Sequence, residues 1–149
     1  MTYIVGVDPG DTTGIAVYDT FRPLTGRFMS MEANWLVVAR HIEVLVCTDS
    51  DMVACERFTI GKRTIRTKRS SKAATHVTGT VRDRCMFVGA RFDEQSASDA
   101  KTLVGNKLLR DLGWYRPKAV HANDAARQCL LMLARRRPHE FECLIQEVL

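Results

Sequence analysis

Three acidic residues and one histidine lie at places in the sequence from which a fold could bring them together. Asp8 ends the apolar run TYIVGVD, Glu56 ends the run MVACE, and His121 and Asp124 belong to HANDAAR. Neighbouring strands can end at the same edge of a sheet, and residues three apart share a helix face. A carboxylate cluster offers the oxygen ligands that Mg²⁺ prefers, and two Mg²⁺ ions about 3.5 to 4 Å apart can hydrolyse phosphodiesters. These residues therefore predict metal-dependent phosphodiester hydrolysis.

Each of these residues also has a purely structural interpretation. An aspartate before Pro-Gly, as at Asp8, is common in turns, and Asp11 is best explained as a turn residue. Glu56 interrupts the pattern of a core strand, although many strands end in a solvated acid. Asp124 near a helix start is typical of a cap or of dipole compensation, and a lone His121 is more often a hydrogen-bonded residue than a ligand. The combination is more informative than any one member.

A basic segment follows closely after Glu56. Residues 61–72, GKRTIRTKRSSK, contain six basic residues and no acid, and the composition predicts a mobile loop. A charge run is often only solvated surface, but beside a carboxylate cluster it favours contacts with DNA phosphates. The candidate phosphate-binding residues are Lys62, Arg63, Arg66, Lys68, Arg69 and Lys72.

The composition limits the class of protein. The 149 residues are 46% hydrophobic and carry a formal net charge of +5, which predicts one domain, residues 1–149, with a polyanionic partner. No apolar run approaches the roughly 20 residues of a membrane-spanning helix. The start also lacks the pattern of a signal peptide, so we expect a cytoplasmic protein with no membrane partner. The five cysteines form no Cys-x-x-Cys pair, which favours buried free thiols over zinc or disulfides.

Hydrophobic periodicity predicts a single α/β sheet with helices on both faces. Short turns join the first three strands, which indicates an antiparallel meander. Asn34 is the expected N-cap of the first helix, Ser98 a possible cap and Gly113 the stop of later, short helices. The predicted strands span 2–8, 14–20, 26–33, 51–58 and 90–95, and the predicted helices span 34–47, 72–90, two short stretches within 96–114, 121–137 and 138–149.

The segments IVGVDPGDTTG, ACERF and HANDAAR resemble the three catalytic motifs of the RuvC-type Holliday junction resolvases, in the RNase H-like (retroviral integrase-like) superfamily. The chain is most similar in character to compact phage-encoded members, such as those of mycobacteriophages. The resemblance implies an RNase H-like α/β fold: a five-stranded mixed sheet whose first three strands are antiparallel, with helices on both faces. It covers nearly the whole chain, but only the three acidic motifs are specific.

The resemblance also implies roles for individual residues. Asp8 would bridge two Mg²⁺ ions, for which Mn²⁺ could substitute; Glu56 would bind one ion, and Asp124 with His121 the other. These four residues are the implied catalytic residues and metal ligands. Lys101 falls at the position of a lysine in the family's segment after the fifth strand. Lys107 is a weaker candidate for phosphate binding. Phe58 is either a core residue or an aromatic side chain that contacts bases at the junction centre.

The activity implied by the resemblance is Mg²⁺-dependent cleavage of four-way DNA junctions by paired symmetric nicks. Two such cuts need two sites related by a two-fold axis, so a homodimer is expected. The segment 70–84 resembles the helix that packs two subunits together, although Asp83 stands where a second glycine is usual. No nucleotide cofactor is expected.

Three other functions are compatible with the sequence. An RNase H-like nuclease could act on RNA/DNA hybrids, flaps or replication forks. Sugar kinases and actin-like ATPases share an Asp-x-Gly-x-Thr phosphate loop, but their paired domains need a chain about twice as long. A basic DNA-binding module without catalysis would leave the acids as turn residues.

Overall fold

The computed structural model describes residues 2–22, 27–59 and 68–148, excluding the side chains of residues 68–71. Five strands and six helices are found in these ranges. The strands are β1 (Tyr3–Asp8), β2 (Thr12–Asp19), β3 (Phe28–Asn34), β4 (Met52–Glu56) and β5 (Arg91–Gln95). The helices are α1 (Val38–Leu45), α2 (Lys68–Val88), α3 (Ala97–Leu103), α4 (Asn106–Asp111), α5 (Val120–Arg136) and α6 (Pro138–Gln146).

The strands form one mixed sheet in the order β3-β2-β1-β4-β5. β1 is antiparallel to β2, and β2 is antiparallel to β3, because few residues separate the two strands of each pair in the sequence. β4 and β5 are parallel to β1, because a helix precedes each of them and returns the chain to the same starting edge. The predicted sheet, with its antiparallel first three strands, is confirmed.

Apolar side chains cover both faces of the sheet, which explains why the central strands are apolar at nearly every position. On one face, α5 contacts β1, β2 and β4, and its residues from Ala122 to Leu133 are all buried. On the other face, α1 and α2 contribute Val38, Ile42, Val77 and Val81 to a second core cluster. The prediction of helices on both faces is therefore confirmed.

Two predicted helix starts are wrong. Asn34 is the last residue of β3, and its Oδ1 accepts a hydrogen bond from the Leu36 amide at 3.0 Å, so it stabilises a turn ahead of α1. The cap of α3 is Ser96, whose hydroxyl accepts from the Ser98 amide at 3.2 Å. Gly113 does follow α4 as predicted, with φ of 71° in the left-handed region that glycine favours.

The predicted basic loop extends too far along the chain. The backbone is already helical at Lys68, the first residue of α2, so Lys68, Arg69 and Lys72 lie in a helix. Lysine, arginine and alanine favour helices, and no proline or glycine interrupts residues 68–78, which accounts for the earlier helix start. The rest of the predicted loop, residues 61–67, lies outside the described residues.

The cysteines follow the expectation in part. Cys55, Cys85 and Cys129 are buried free thiols, whereas Cys47 is exposed and Cys143 is partly exposed. Burial raises the pKa of the Cys55 thiol to about 12, so that thiol is protonated and unreactive at neutral pH. Within the described ranges, no helix is both long and apolar enough to span a lipid bilayer.

Two glycines allow α5 to lie directly against the sheet. A Cβ added at Gly14 of β2 would lie 1.9 Å from the His121 carbonyl oxygen, and one added at Gly6 of β1 would lie 2.0 Å from the Ala125 carbonyl oxygen. Both neighbours are backbone atoms, which cannot move away as a flexible side chain would. The N-terminal half of α5 can therefore occupy its position only if residues 6 and 14 have no side chain.

We expect Gly14→Ala to destabilise the protein by about 3 kcal/mol or more, because the added methyl overlaps the α5 backbone. Gly79→Ala is the matched control: Gly79 lies inside α2 and an added Cβ there meets no atom within 4 Å, so this change should stabilise by about 0.5 to 1 kcal/mol. Chemical denaturation of both variants measures the two effects. Wild-type stability in Gly14→Ala would contradict the close contact between α5 and β2.

Candidate functional site

Two of the predicted site residues end neighbouring strands. β1 and β4 are parallel neighbours, with Val7 opposite Cys55, so the residues that follow, Asp8 and Glu56, lie side by side at one edge of the sheet. The Asp8 residue is only 8% exposed. The turn after Asp8 contains Asp11, as predicted, and returns the chain into β2. The parallel pairing thus brings together two acids that are far apart in the sequence.

α5 presents successive turns to these two acids. His121 Nδ1 donates to Asp8 Oδ2 at 2.7 Å, and Gln128 Nε2 donates to Glu56 Oε2 at 3.2 Å. Asp124 lies between His121 and Gln128 on the same side of the helix, since positions separated by three and four residues share a face. The structure therefore brings Asp8, Glu56, His121 and Asp124 to one edge, as the motifs predict.

Two cations hold the carboxylate of Asp124. Arg127 donates from Nη1 to Asp124 Oδ1 at 2.6 Å, and the ammonium of Lys101 lies 3.3 Å from Asp124 Oδ2. Arg127 also donates from Nε to the Val104 carbonyl oxygen at 3.0 Å and contacts the side chain of Asn106. The guanidinium therefore fixes Asp124 to the turn between α3 and α4.

The electrostatics of this edge disfavour negative charge. Burial raises the pKa of Asp8, and the nearby Asp124 raises it further, while His121 and Lys101 oppose the shift. Burial also raises the pKa of Glu56, and the charge of Asp8 adds to the effect. The hydrogen bond to Asp8 raises the pKa of His121, so the imidazolium form is favoured. The three carboxylates lie close enough to repel one another, and a bound cation would relieve that repulsion.

The donor set fits a divalent cation such as Mg²⁺, which prefers carboxylate oxygens. In the described part of the chain, however, no three His, Cys, Asp or Glu side chains are already arranged as a metal-binding group. Asp8 is hydrogen-bonded to His121, and both oxygens of Asp124 contact cationic side chains. Metal binding by Asp8, Glu56 and Asp124 thus requires side-chain shifts, and His121 acts in this structure as the hydrogen-bond partner of Asp8.

The start of α5 depends on a residue that sequence analysis missed. α5 has no side-chain N-cap of its own, and Glu32 of β3 supplies the acceptor instead. Its Oε1 accepts from the amides of His121 at 3.0 Å and Ala122 at 3.3 Å. A carboxylate at a helix N-terminus is favourable, and here it anchors the turn that carries His121. The contact spans 89 positions of sequence, so no local pattern could reveal it. Arg127 was also missed, although its position three residues after Asp124 could have indicated their ion pair. Its contacts with Val104 and Asn106 arise only in the folded chain.

The other predicted DNA-binding residues occupy varied positions. Lys107 is 82% exposed on α4 and pairs with Asp111 at 2.6 Å, not with the site acids. Phe58 is half-buried and lines a cavity of about 500 Å³ whose other walls include Pro9, Glu56 and Ser98. Lys72 is exposed on α2; Lys62, Arg63 and Arg66 lie outside the described residues, as do the side chains of Lys68 and Arg69.

The strand order, the flanking helices and the acids at the strand ends together define an RNase H-like fold. Among solved structures, the chain is similar to RuvC of T. thermophilus in complex with a Holliday junction substrate. That match has a TM-score of 0.67 at 18% identity and covers 92% of this chain and 97% of that chain. A second structure of Thermus thermophilus RuvC matches with a TM-score of 0.62 at 17% identity, covering 89% and 95%. No protein-family model and no curated protein sequence matches the chain.

We expect Glu56→Gln to raise the melting temperature of the metal-free protein at pH 7.5. Because the folded protein raises the pKa of Glu56, the ionised carboxylate costs stability as the pH rises through that pKa, and the cost is absent near pH 4. Glutamine keeps the shape and can still accept from Gln128. The increase should be roughly 2 to 4 °C, the shift that about 1 kcal/mol produces in a chain of this length.

Glu94→Gln on β5 is the control for this stability measurement. Glu94 forms an ion pair with Arg82 at 2.8 Å outside the acidic edge, so its replacement should leave the melting temperature unchanged or slightly lower. Adding Mg²⁺ should stabilise the wild type and the control more than Glu56→Gln. A lower melting temperature of metal-free Glu56→Gln at pH 7.5 would contradict the charge repulsion described for this edge.

Proposed function

We propose that this protein is a Mg²⁺-dependent endonuclease that resolves four-way DNA junctions by paired symmetric nicks. The observation that carries the proposal is the meeting of Asp8, Glu56 and Asp124 at one sheet edge of a fold similar to that of RuvC. The solved relative binds a Holliday junction substrate, and the formal charge of +5 suits a polyanionic partner. The motifs, the fold and the positive charge together support a branched-DNA substrate.

Asp8, Glu56 and Asp124 would hold two Mg²⁺ ions, or Mn²⁺ in their place. When bound there, Mg²⁺ would supply activation of water for attack on phosphorus and compensation of negative charge on the leaving oxygen. His121 keeps the Asp8 carboxylate in place through its Nδ1 proton. Cleavage would leave a 5′-phosphate and a 3′-hydroxyl. His121 could also turn from Asp8 to join Asp124 as a ligand.

Binding of DNA would use the basic residues near this edge. Lys101 lies within the site, and Lys72 extends the positive charge along α2. Phe58 borders the cavity beside Glu56, a position from which an aromatic ring could stack on a base. Phosphate contacts from Lys62, Arg63, Arg66, Lys68, Arg69 and Lys107 remain predictions from the sequence.

Symmetric cleavage requires a homodimer, because two cuts need two sites related by a two-fold axis. The helix expected at the subunit contact is α2. Its C-terminal turn exposes Met86 and Phe87, whose residues are 75% and 82% exposed, and such apolar side chains favour association. The single-domain organisation, the cytoplasmic location and the phage-encoded origin also remain predictions from the sequence.

A labelled immobile four-way junction tests the proposal beside matched duplex, flap and RNA/DNA hybrid substrates. In Mg²⁺, the wild-type protein should make symmetric nicks confined to the junction. Asp8→Asn should abolish these nicks yet bind the junction as tightly as the wild type or more tightly, because one repulsive carboxylate is lost. Asp93→Asn, on the neighbouring strand β5 and paired with Arg136, should cut normally.

The other outcomes of this cleavage assay separate the alternative functions. Preferred cutting of the hybrid or the flap would assign the protein to another RNase H-like substrate. Equal cutting of plain duplex would reduce it to a general nuclease. A junction-binding protein whose every activity is unchanged by Asp8→Asn would be a DNA-binding module without catalysis.

A further inference from the structure

The two cations on Asp124 differ in how firmly they are held. Arg127 has a side chain only 10% exposed, and its guanidinium contacts three partners: Asp124, Val104 and Asn106. The side chain of Lys101 is 54% exposed, and its ammonium forms an ion pair with Asp124 Oδ2. Removing Arg127 would therefore break a buried network, whereas Lys101 can leave at small cost.

Arg127 also restricts what Asp124 can offer to a metal ion. Its Nη1 donates to Oδ1 at 2.6 Å, a short charge-assisted hydrogen bond that holds this oxygen firmly. Oδ2 is the remaining oxygen, and Lys101 is its partner. Oδ2, paired with the half-exposed Lys101, is therefore the oxygen of Asp124 that can exchange its partner at the smaller cost.

The charge of Lys101 reaches the other two carboxylates as well. Its ammonium opposes the rise in pKa of both Asp8 and Glu56, so it acts electrostatically on all three acids of the site. A positive charge that interacts favourably with all three carboxylates offsets the same negative charge that a bound divalent cation would offset. Lys101 therefore acts as an internal counter-ion of the acidic edge.

We propose that Lys101 and a divalent cation bind Asp124 Oδ2 in alternation, with Lys101 as the counter-ion of the metal-free site. The inference rests on the proposed function, since it concerns the metal ions of that nuclease. Metal binding releases the ammonium, which stays on α3 beside the site and becomes available to a DNA phosphate. The same lysine then stabilises the metal-free protein and contacts the substrate of the metal-bound one.

Mn²⁺ binding, measured by calorimetry without DNA, tests the exchange. Lys101→Met should bind Mn²⁺ about three- to tenfold more tightly than the wild type, because the metal no longer displaces a partly exposed ion pair. Lys101→Arg keeps the charge and should bind no more tightly than the wild type. Arg135→Gln is the matched control: it removes one positive charge from another ion pair between α5 and α3, with Asp99, and should leave the affinity unchanged.

Thermal unfolding in EDTA provides a second measurement on the same variants. Lys101→Met should melt at a lower temperature than the wild type, because the three carboxylates lose their counter-ion, and saturating Mn²⁺ should close that gap. Arg135→Gln should show no such dependence on Mn²⁺. If Mn²⁺ leaves the difference in melting temperature between Lys101→Met and the wild type unchanged, the exchange is wrong.

Asp8→Asn separates failure of the exchange from failure of the proposed function. If Asp8→Asn abolishes Mn²⁺ binding but Lys101→Met binds like the wild type or more weakly, the exchange is wrong and the metal site stands. If the protein does not bind Mn²⁺, or if Asp8→Asn binds it as tightly as the wild type, both the exchange and the metal-dependent nuclease are wrong. Tighter Mn²⁺ binding by Lys101→Met, without tighter binding by Lys101→Arg or Arg135→Gln, supports both the exchange and the metal site.

Discussion

The site depends on the contact between the backbone of α5 and two strands of the sheet. At Gly6 and Gly14 there is no side chain between helix and strand, and even one methyl group would overlap a carbonyl oxygen of α5. Glu32 then fixes the helix start from the third strand. Because the first turns of α5 are held this closely, a short side chain such as Asp124 can share one edge with Asp8 and Glu56.

This arrangement concentrates carboxylates where they repel one another, and the chain compensates with its own cations. His121 pairs with Asp8, while Arg127 and Lys101 pair with Asp124. Active sites commonly hold such unfavourable charge, because the free energy it costs is recovered when the ligand binds. Arg127 is buried and is the fixed support of Asp124. Lys101 is half-exposed and is the exchangeable counter-ion.

The sequence predicted the fold well because the strand patterns and strand-ending acids are local signals. Apolar runs that stop at Asp8 and Glu56 indicated both the strands and the edge where they end. Helix starts were less accurate. Asn34 stabilises a turn ahead of α1 instead of capping the helix, and two serines, Ser96 and Ser98, were both candidates for the cap of α3. Glu32 was beyond reach, since only the folded sheet brings it to the start of α5. For Arg127, the spacing of three residues from Asp124 was a usable local signal, whereas its contact with Val104 was not.

Anomalous diffraction from crystals of the wild-type protein soaked in Mn²⁺ would locate the metal relative to the three carboxylates and their cations. We expect anomalous peaks between the carboxylates of Asp8, Glu56 and Asp124, with Arg127 still on Asp124 Oδ1 and the Lys101 ammonium withdrawn from Oδ2. Mn²⁺ bound only elsewhere, with Lys101 still paired to Asp124 at saturating metal, would contradict it.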